Sequence, residues 1–118
     1  MTKPIMTSVK LQKNLHFKMQ QRIISDGYGM RGKSKWIVEA IESFLTFSDY
    51  PALADIACDM DQLSEIISIR LSDQLMDKID GAIISVRKQY PAMEGVKSNL
   101  IRASIMQRLI RETASVTE

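Results

Sequence analysis

Thr7-Ser8-Val9-Lys10-Leu11 and Ile67-Ser68-Ile69-Arg70-Leu71 are one pattern written twice, sixty residues apart, and its reading decides the fold. In the first stretch Thr7, Val9 and Leu11 alternate with Ser8 and Lys10; in the second, Ile67, Ile69 and Leu71 alternate with Ser68 and Arg70. A period of two is that of a strand with one face buried and the other wet. The likeness continues at the same offset, with Leu15 on Leu75, Lys18 on Lys78, Met19 on Ile79 and Ile23-Ile24-Ser25 on Ile83-Ile84-Ser85. After a loop four residues longer in the second copy, Lys33-Ser34 matches Lys97-Ser98. Trp36-Ile37, Ile41 and Leu45 then match Leu100-Ile101, Ile105 and Leu109. Each copy reads as strand, helix, turn, helix.

Helical spacing carries the second piece of each copy: Leu15, Met19 and Ile23, then Leu75, Ile79, Ala82, Ile83 and Val86. Ser72 is placed to cap the latter helix, Gly27 and Gly29 to close the former, and Tyr90-Pro91 to end the latter. Trp36, Ile37, Ala40, Ile41, Phe44 and Leu45 form the strongest stripe of the first copy, matched by Leu100, Ile101, Ile105 and Leu109. Between the copies, Pro51 at a first helical position, followed by Leu53, Ile56, Ala57, Met60 and Leu63, predicts a short amphipathic helix.

A strand followed by two helices cannot pair its own edge, and each copy solves this for the other. Antiparallel pairing of strand 7–12 with strand 66–71 buries Val9, Leu11, Ile67, Ile69 and Leu71 under four helices. The expected fold is mainly α with a two-stranded antiparallel β-ribbon, two repeats fused into one intramolecular pseudo-dimer. Residues 1–118 then form a single domain, with repeats at 6–48 and 66–113 and an acidic linker at 49–65.

With 118 residues, 45% apolar and 25% charged, the chain has an ordinary globular composition. One cysteine, Cys58, and one histidine, His16, supply neither a disulfide nor a zinc site, so no metal and no cofactor is expected. Apolar runs of three residues, as in Trp36-Ile37-Val38, are far too short to span a bilayer, and no secretory signal is expected. A cytoplasmic protein is expected. No catalytic constellation forms around a single imidazole, so an enzyme is not expected. His16 reads as a surface or staple residue, Trp36 and Phe44 as core, and Met19, Met60 and Met106 as core fillers. Gly27 to Ser34 satisfies the nucleotide-loop pattern GxxxxGK[ST], but such a loop must follow a buried strand, and the preceding Leu15 to Ser25 has helical spacing.

The alternating strand Ser8 to Leu11, the following Leu15 and Met19, and Gly32-Lys33-Ser34 before Trp36-Ile37-Ala40-Ile41 resemble the ribbon-helix-helix DNA-binding proteins of the Met repressor and Arc class. Ser68 to Leu71, Leu75, Ile79, Gly95, Lys97-Ser98 and Leu100-Ile101 repeat the match. Two copies in one chain, with Tyr50-Pro51 after the first, are similar to the TraY type of conjugation protein. The resemblance implies that the ribbon enters the major groove of double-stranded DNA and that Ser8, Lys10, Ser68 and Arg70 reach bases. Met6 and Ile66 lie one step earlier on that face, where they could touch thymine methyls, pack on the linker or fray. Lys33, Ser34, Lys35, Lys97 and Ser98, at the starts of the long helices, would hold phosphates, with the two serines alternatively serving only as caps.

The implied roles are a transcriptional repressor or a plasmid-transfer accessory factor acting at an imperfect inverted repeat, with copies associating side by side. An antitoxin or interaction adaptor of the same fold is the alternative, disfavoured because only Thr113 to Glu118 follow the last predicted helix. The net charge of +2 hides an uneven distribution: +5 over residues 1–48, −5 over 49–65 and +2 over 66–118. An acidic connector should therefore lie on the side away from phosphate.

Overall fold

In the computed structural model the described residues are 4–29, 31–58 and 61–116, the last five by backbone alone. Two strands and five helices follow in the order β1 (Ile5–Gln12), α1 (Lys13–Ser25), α2 (Lys33–Phe44), α3 (Tyr50–Ala57), β2 (Leu63–Leu71), α4 (Asp73–Gln89) and α5 (Val96–Val116). The chain is thus mostly helical with one two-stranded antiparallel sheet.

Period-two sequence makes the ribbon. Thr7, Val9 and Leu11 of β1 and Ile67, Ile69 and Leu71 of β2 are buried, and the residues between them face outward. Ser8 lies opposite Ser68, Met6 opposite Arg70 and Lys10 opposite Ile66, and the register shifts only between Leu11 and Gln12. The inner face packs on α1, α2, α4 and α5 through Leu15, Met19, Trp36, Ile37, Ile41, Leu75, Ile79, Ile101 and Ile105. Removing side chains of this size from water, at about 25 cal/mol per Å2 of apolar surface, is the main force holding helices to ribbon.

Helix ends follow local chemistry. The N–H groups of Gly27 and Tyr28 donate to the carbonyls of Ile24 and Ile23 at 3.0 and 3.1 Å, with Gly27 at φ +81, so α1 closes in a Schellman turn that needs a residue without Cβ. The Ser72 hydroxyl accepts from the Leu75 N–H at 3.1 Å and caps α4. Tyr90-Pro91 stands where α4 ends.

The segment between α2 and β2 departs from its sequence reading. α3 buries Pro51, Ala54 and Ala57, leaves Ile56 exposed and stops at Ala57. Small residues at that spacing allow close approach to α5, so size rather than hydrophobicity selects the face. Leu63 belongs to β2, which begins three residues earlier than the expected 66, and Met60 lies outside the described residues. Glu65, counted with the acidic linker, is a strand residue turned inward, its Oε1 3.4 Å from His16 Nδ1. α5 runs on to Val116, past the expected end at 113. Among the described residues no helix is long and apolar enough to cross a membrane.

Candidate nucleic-acid interface

The outer face of the ribbon is a grid built by the pleat and the register. Its three cross-strand pairs are Met6 with Arg70, Ser8 with Ser68, and Lys10 with Ile66. The cations occupy one diagonal and the apolar side chains the other, with the two serines in the middle. All six are exposed, Met6 by 57% and Ile66 by 66%, so neither packs on the linker segment or leaves the ladder. No acid lies among these six, because Glu65 points to the helical side. Four residues separate the ranks of Lys10 and Arg70, about 13 Å at ~3.3 Å per residue.

Side chains from the helices clamp the backbone behind both cations. The Arg70 N–H donates to Ser34 Oγ at 3.1 Å, and Arg102 Nη1 donates to the Lys10 carbonyl at 2.9 Å. Arg102 is buried, and its second terminal nitrogen donates to Asn99 Oδ1. Asn99 Nδ2 in turn donates to Cys58 Sγ at 2.8 Å and to the Glu94 carbonyl at 3.1 Å. Burial pushes the Arg102 pKa down from its ordinary value, with Cys58 acting in the opposite direction. Sequence reading missed Arg102. The available signal was its place beside Ile101 and three residues before Ile105, on the buried stripe of α5.

Lys33, Ser34 and Lys35 are the first three residues of α2, where backbone N–H groups lack intrahelical acceptors and the helix dipole is positive. Lys97 and Ser98 occupy the first turn of α5. Gly32, not Ser34, is the N-cap of α2, so Ser34 ties α2 to the strand rather than capping its helix. Lys35 Nζ lies 6.0 Å from the centre of the Tyr28 ring, while Lys33 is half-buried. The two ends differ in charge: Arg31 accompanies the lysines of α2, whereas Glu94 stands three residues before Lys97.

The nucleotide-loop pattern follows a helix, α1, and its members serve packing. A Cβ at Gly32 would lie 2.4 Å from both Tyr28 Cβ and the Tyr28 carbonyl oxygen. Tyr28 donates its hydroxyl hydrogen to Glu39, and Arg108 bonds the same hydroxyl at 3.2 Å while stacking 4.6 Å over Trp36. Trp36 Nε1 donates to Asp26 at 2.9 Å, so the loop is fastened to α2 and α5.

The chain matches no known protein family, no curated protein and no solved structure. Exposed donors, two of them cationic, stand on a two-stranded ribbon beside a lysine-rich helix start.

Proposed function

We propose that the chain is a sequence-specific double-stranded-DNA-binding protein, two ribbon-helix-helix repeats fused into an intramolecular pseudo-dimer, and not an enzyme. In this reading the ribbon enters the major groove, about 12 Å wide, with Lys10 and Arg70 donating to guanine O6 and N7, Ser8 and Ser68 to adaptable acceptors, and Met6 and Ile66 touching thymine methyls. The observation that carries it is the acid-free outer grid with one cation, one serine and one apolar residue on each half. The register supports the fused pseudo-dimer. Its central pair, Ser8 and Ser68, is also a pair at the sixty-residue offset, so a twofold operation there exchanges Lys10 with Arg70 and Met6 with Ile66.

Because Lys10 and Arg70 differ, the preferred site is an imperfect inverted repeat. The ~13 Å between their ranks puts the two recognised guanines about four base pairs apart at ~3.4 Å rise. The first turns of α2 and α5 hold phosphates on either side and set the register without reading sequence. Such site recognition suits a transcriptional regulator or a plasmid-transfer accessory factor.

Selection from a random duplex library at stated salt tests the reading. Enrichment of one short, nearly palindromic site is expected, and Arg70→Ala should weaken binding to it by about 1–3 kcal/mol while relaxing preference at one position. Failure to enrich any duplex sequence overturns the proposal.

A further inference from the structure

Cys58, the single cysteine of the chain, stands half-buried at the end of α3, and the proposed DNA contact makes no use of it. It is the outer end of a polar chain that runs through the core. Asn99 Nδ2 donates to Cys58 Sγ at 2.8 Å, Asn99 Oδ1 accepts from Arg102, and Arg102 Nη1 donates to the Lys10 carbonyl at 2.9 Å. The two middle members are buried, Asn99 exposed by 3% and Arg102 by 7%. A sulfur that solvent reaches is thereby joined to the backbone of β1.

A cysteine that only fills space packs as a small apolar group and needs no such partners. Arg102, moreover, is not fully paired: among the described residues its Nε is a buried donor with no hydrogen-bond partner. Buried donors are rarely left so, and a guanidinium with one to spare is suited to an anionic oxygen. Burial lowers the Arg102 pKa and Cys58 acts against it; the same attraction, read from the sulfur, favours the thiolate. Asn99 brings the sulfur to the first turn of α5, whose dipole also favours negative charge, while the end of α3 opposes it.

We propose that Cys58 is a peroxide-sensitive thiol whose oxidation is relayed through Asn99 and Arg102 to the backbone of β1 at Lys10. The thiolate attacks one oxygen of hydrogen peroxide. An S–O bond forms, the O–O bond breaks, sulfur gives up two electrons, and the departing hydroxide takes the proton that the thiol released, leaving as water. The new oxygen accepts hydrogen bonds more strongly than sulfur does. It takes the spare Arg102 donor and draws the guanidinium toward α3, so the Lys10 carbonyl loses its tie to α5. With no second cysteine in the chain, the sulfenic acid condenses with a small external thiol to a mixed disulfide and water, and a further such thiol releases Cys58. The inference goes beyond the DNA-binding reading and holds or fails without DNA.

Mass spectrometry of the full chain, treated with equimolar hydrogen peroxide at neutral pH in the presence of dimedone, reads the first step. Folded Cys58 should take the sulfenic-acid label about fivefold or more faster than the same chain unfolded in urea, because only the fold brings Arg102 near the sulfur. A thiol that is merely packed reacts more slowly folded than unfolded. Amide spectra of the isotope-labelled chain read the relay. On oxidation the Leu11 amide, joined to the Lys10 carbonyl carbon, should shift and exchange faster with solvent, and dithiothreitol should restore it. Cys58→Ser, which keeps an acceptor for Asn99, should fold and leave Leu11 unchanged under peroxide, separating the thiol from the methionines. Folded Cys58 reacting no faster than unfolded, a Leu11 amide indifferent to oxidation, or the same Leu11 shift in peroxide-treated Cys58→Ser overturns the proposal.

Discussion

Gly32 shows how a single position carries a fold-wide demand. Its neighbour across the turn is the backbone and Cβ of Tyr28, 2.4 Å from where a methyl would stand, and backbone cannot rotate out of the way. Gly32→Ala should destabilise the protein by about 1–3 kcal/mol, the usual cost of overpacking; a wild-type urea midpoint would show that the turn yields freely. Arg102 makes the complementary demand from inside. Its buried guanidinium donates to the Lys10 carbonyl and to Asn99 Oδ1. Arg102→Met should lower stability by about 1–3 kcal/mol, because the buried Asn99 carbonyl oxygen loses its donor. Amide exchange at Lys10 and its neighbours should quicken as well, since the strand loses its tie to α5; unchanged exchange would mean the ladder alone fixes it. Neither role was visible in sequence, where Gly32 belongs to a nucleotide-loop pattern and Arg102 is one of many cations. Arg102 acts on a strand carbonyl ninety-two residues away along the chain, and Gly32 on how its turn folds back onto Tyr28.

At the level of elements, local chemistry was legible wherever it alone decides the outcome. Alternation fixed the two strands, helical spacing fixed α1, α2, α4 and α5, and Ser72 marked the start of α4 because a hydroxyl before an acidic first turn caps through its own neighbours. Ser72→Ala should cost about 1 kcal/mol in thermal or urea unfolding, and a change within error would mean that water replaces the hydroxyl at no loss. The reading failed where tertiary fit chooses. α3 turns its alanines inward and leaves Ile56 in solvent, and Glu65 faces the helices because His16 is there to meet it. Ser34 has a cap residue's composition but spends its hydroxyl on the Arg70 N–H, a partner thirty-six residues away. The outer grid was legible as a list of residues. Its diagonal arrangement was not, because register depends on how the strands meet.

For the molecule as a whole, the uneven charge has consequences that the total of +2 conceals. Acids concentrate in the segment containing α3, which packs on α4 and α5, while the outer ribbon grid carries only cations, hydroxyls and apolar groups. The two helix starts proposed to hold phosphate are unequal. α2 begins with Lys33 and Lys35 after Arg31, whereas Lys97 of α5 follows Glu94. Each lysine that neutralises a phosphate releases counterions and steepens the dependence of affinity on salt, by about one unit of log–log slope. A nearby carboxylate cancels part of that attraction in the same few ångströms where helix dipole and side chain act. Lys33→Ala should therefore weaken binding to every duplex sequence and reduce the salt slope by about 1, while Lys97→Ala does so by less and Glu94→Gln strengthens binding. Titrations of a fluorescent duplex at several salt concentrations read all three. Equal losses from the two lysine variants would mean that the charge difference between the repeats does not reach the phosphates, and that the two halves grip DNA alike.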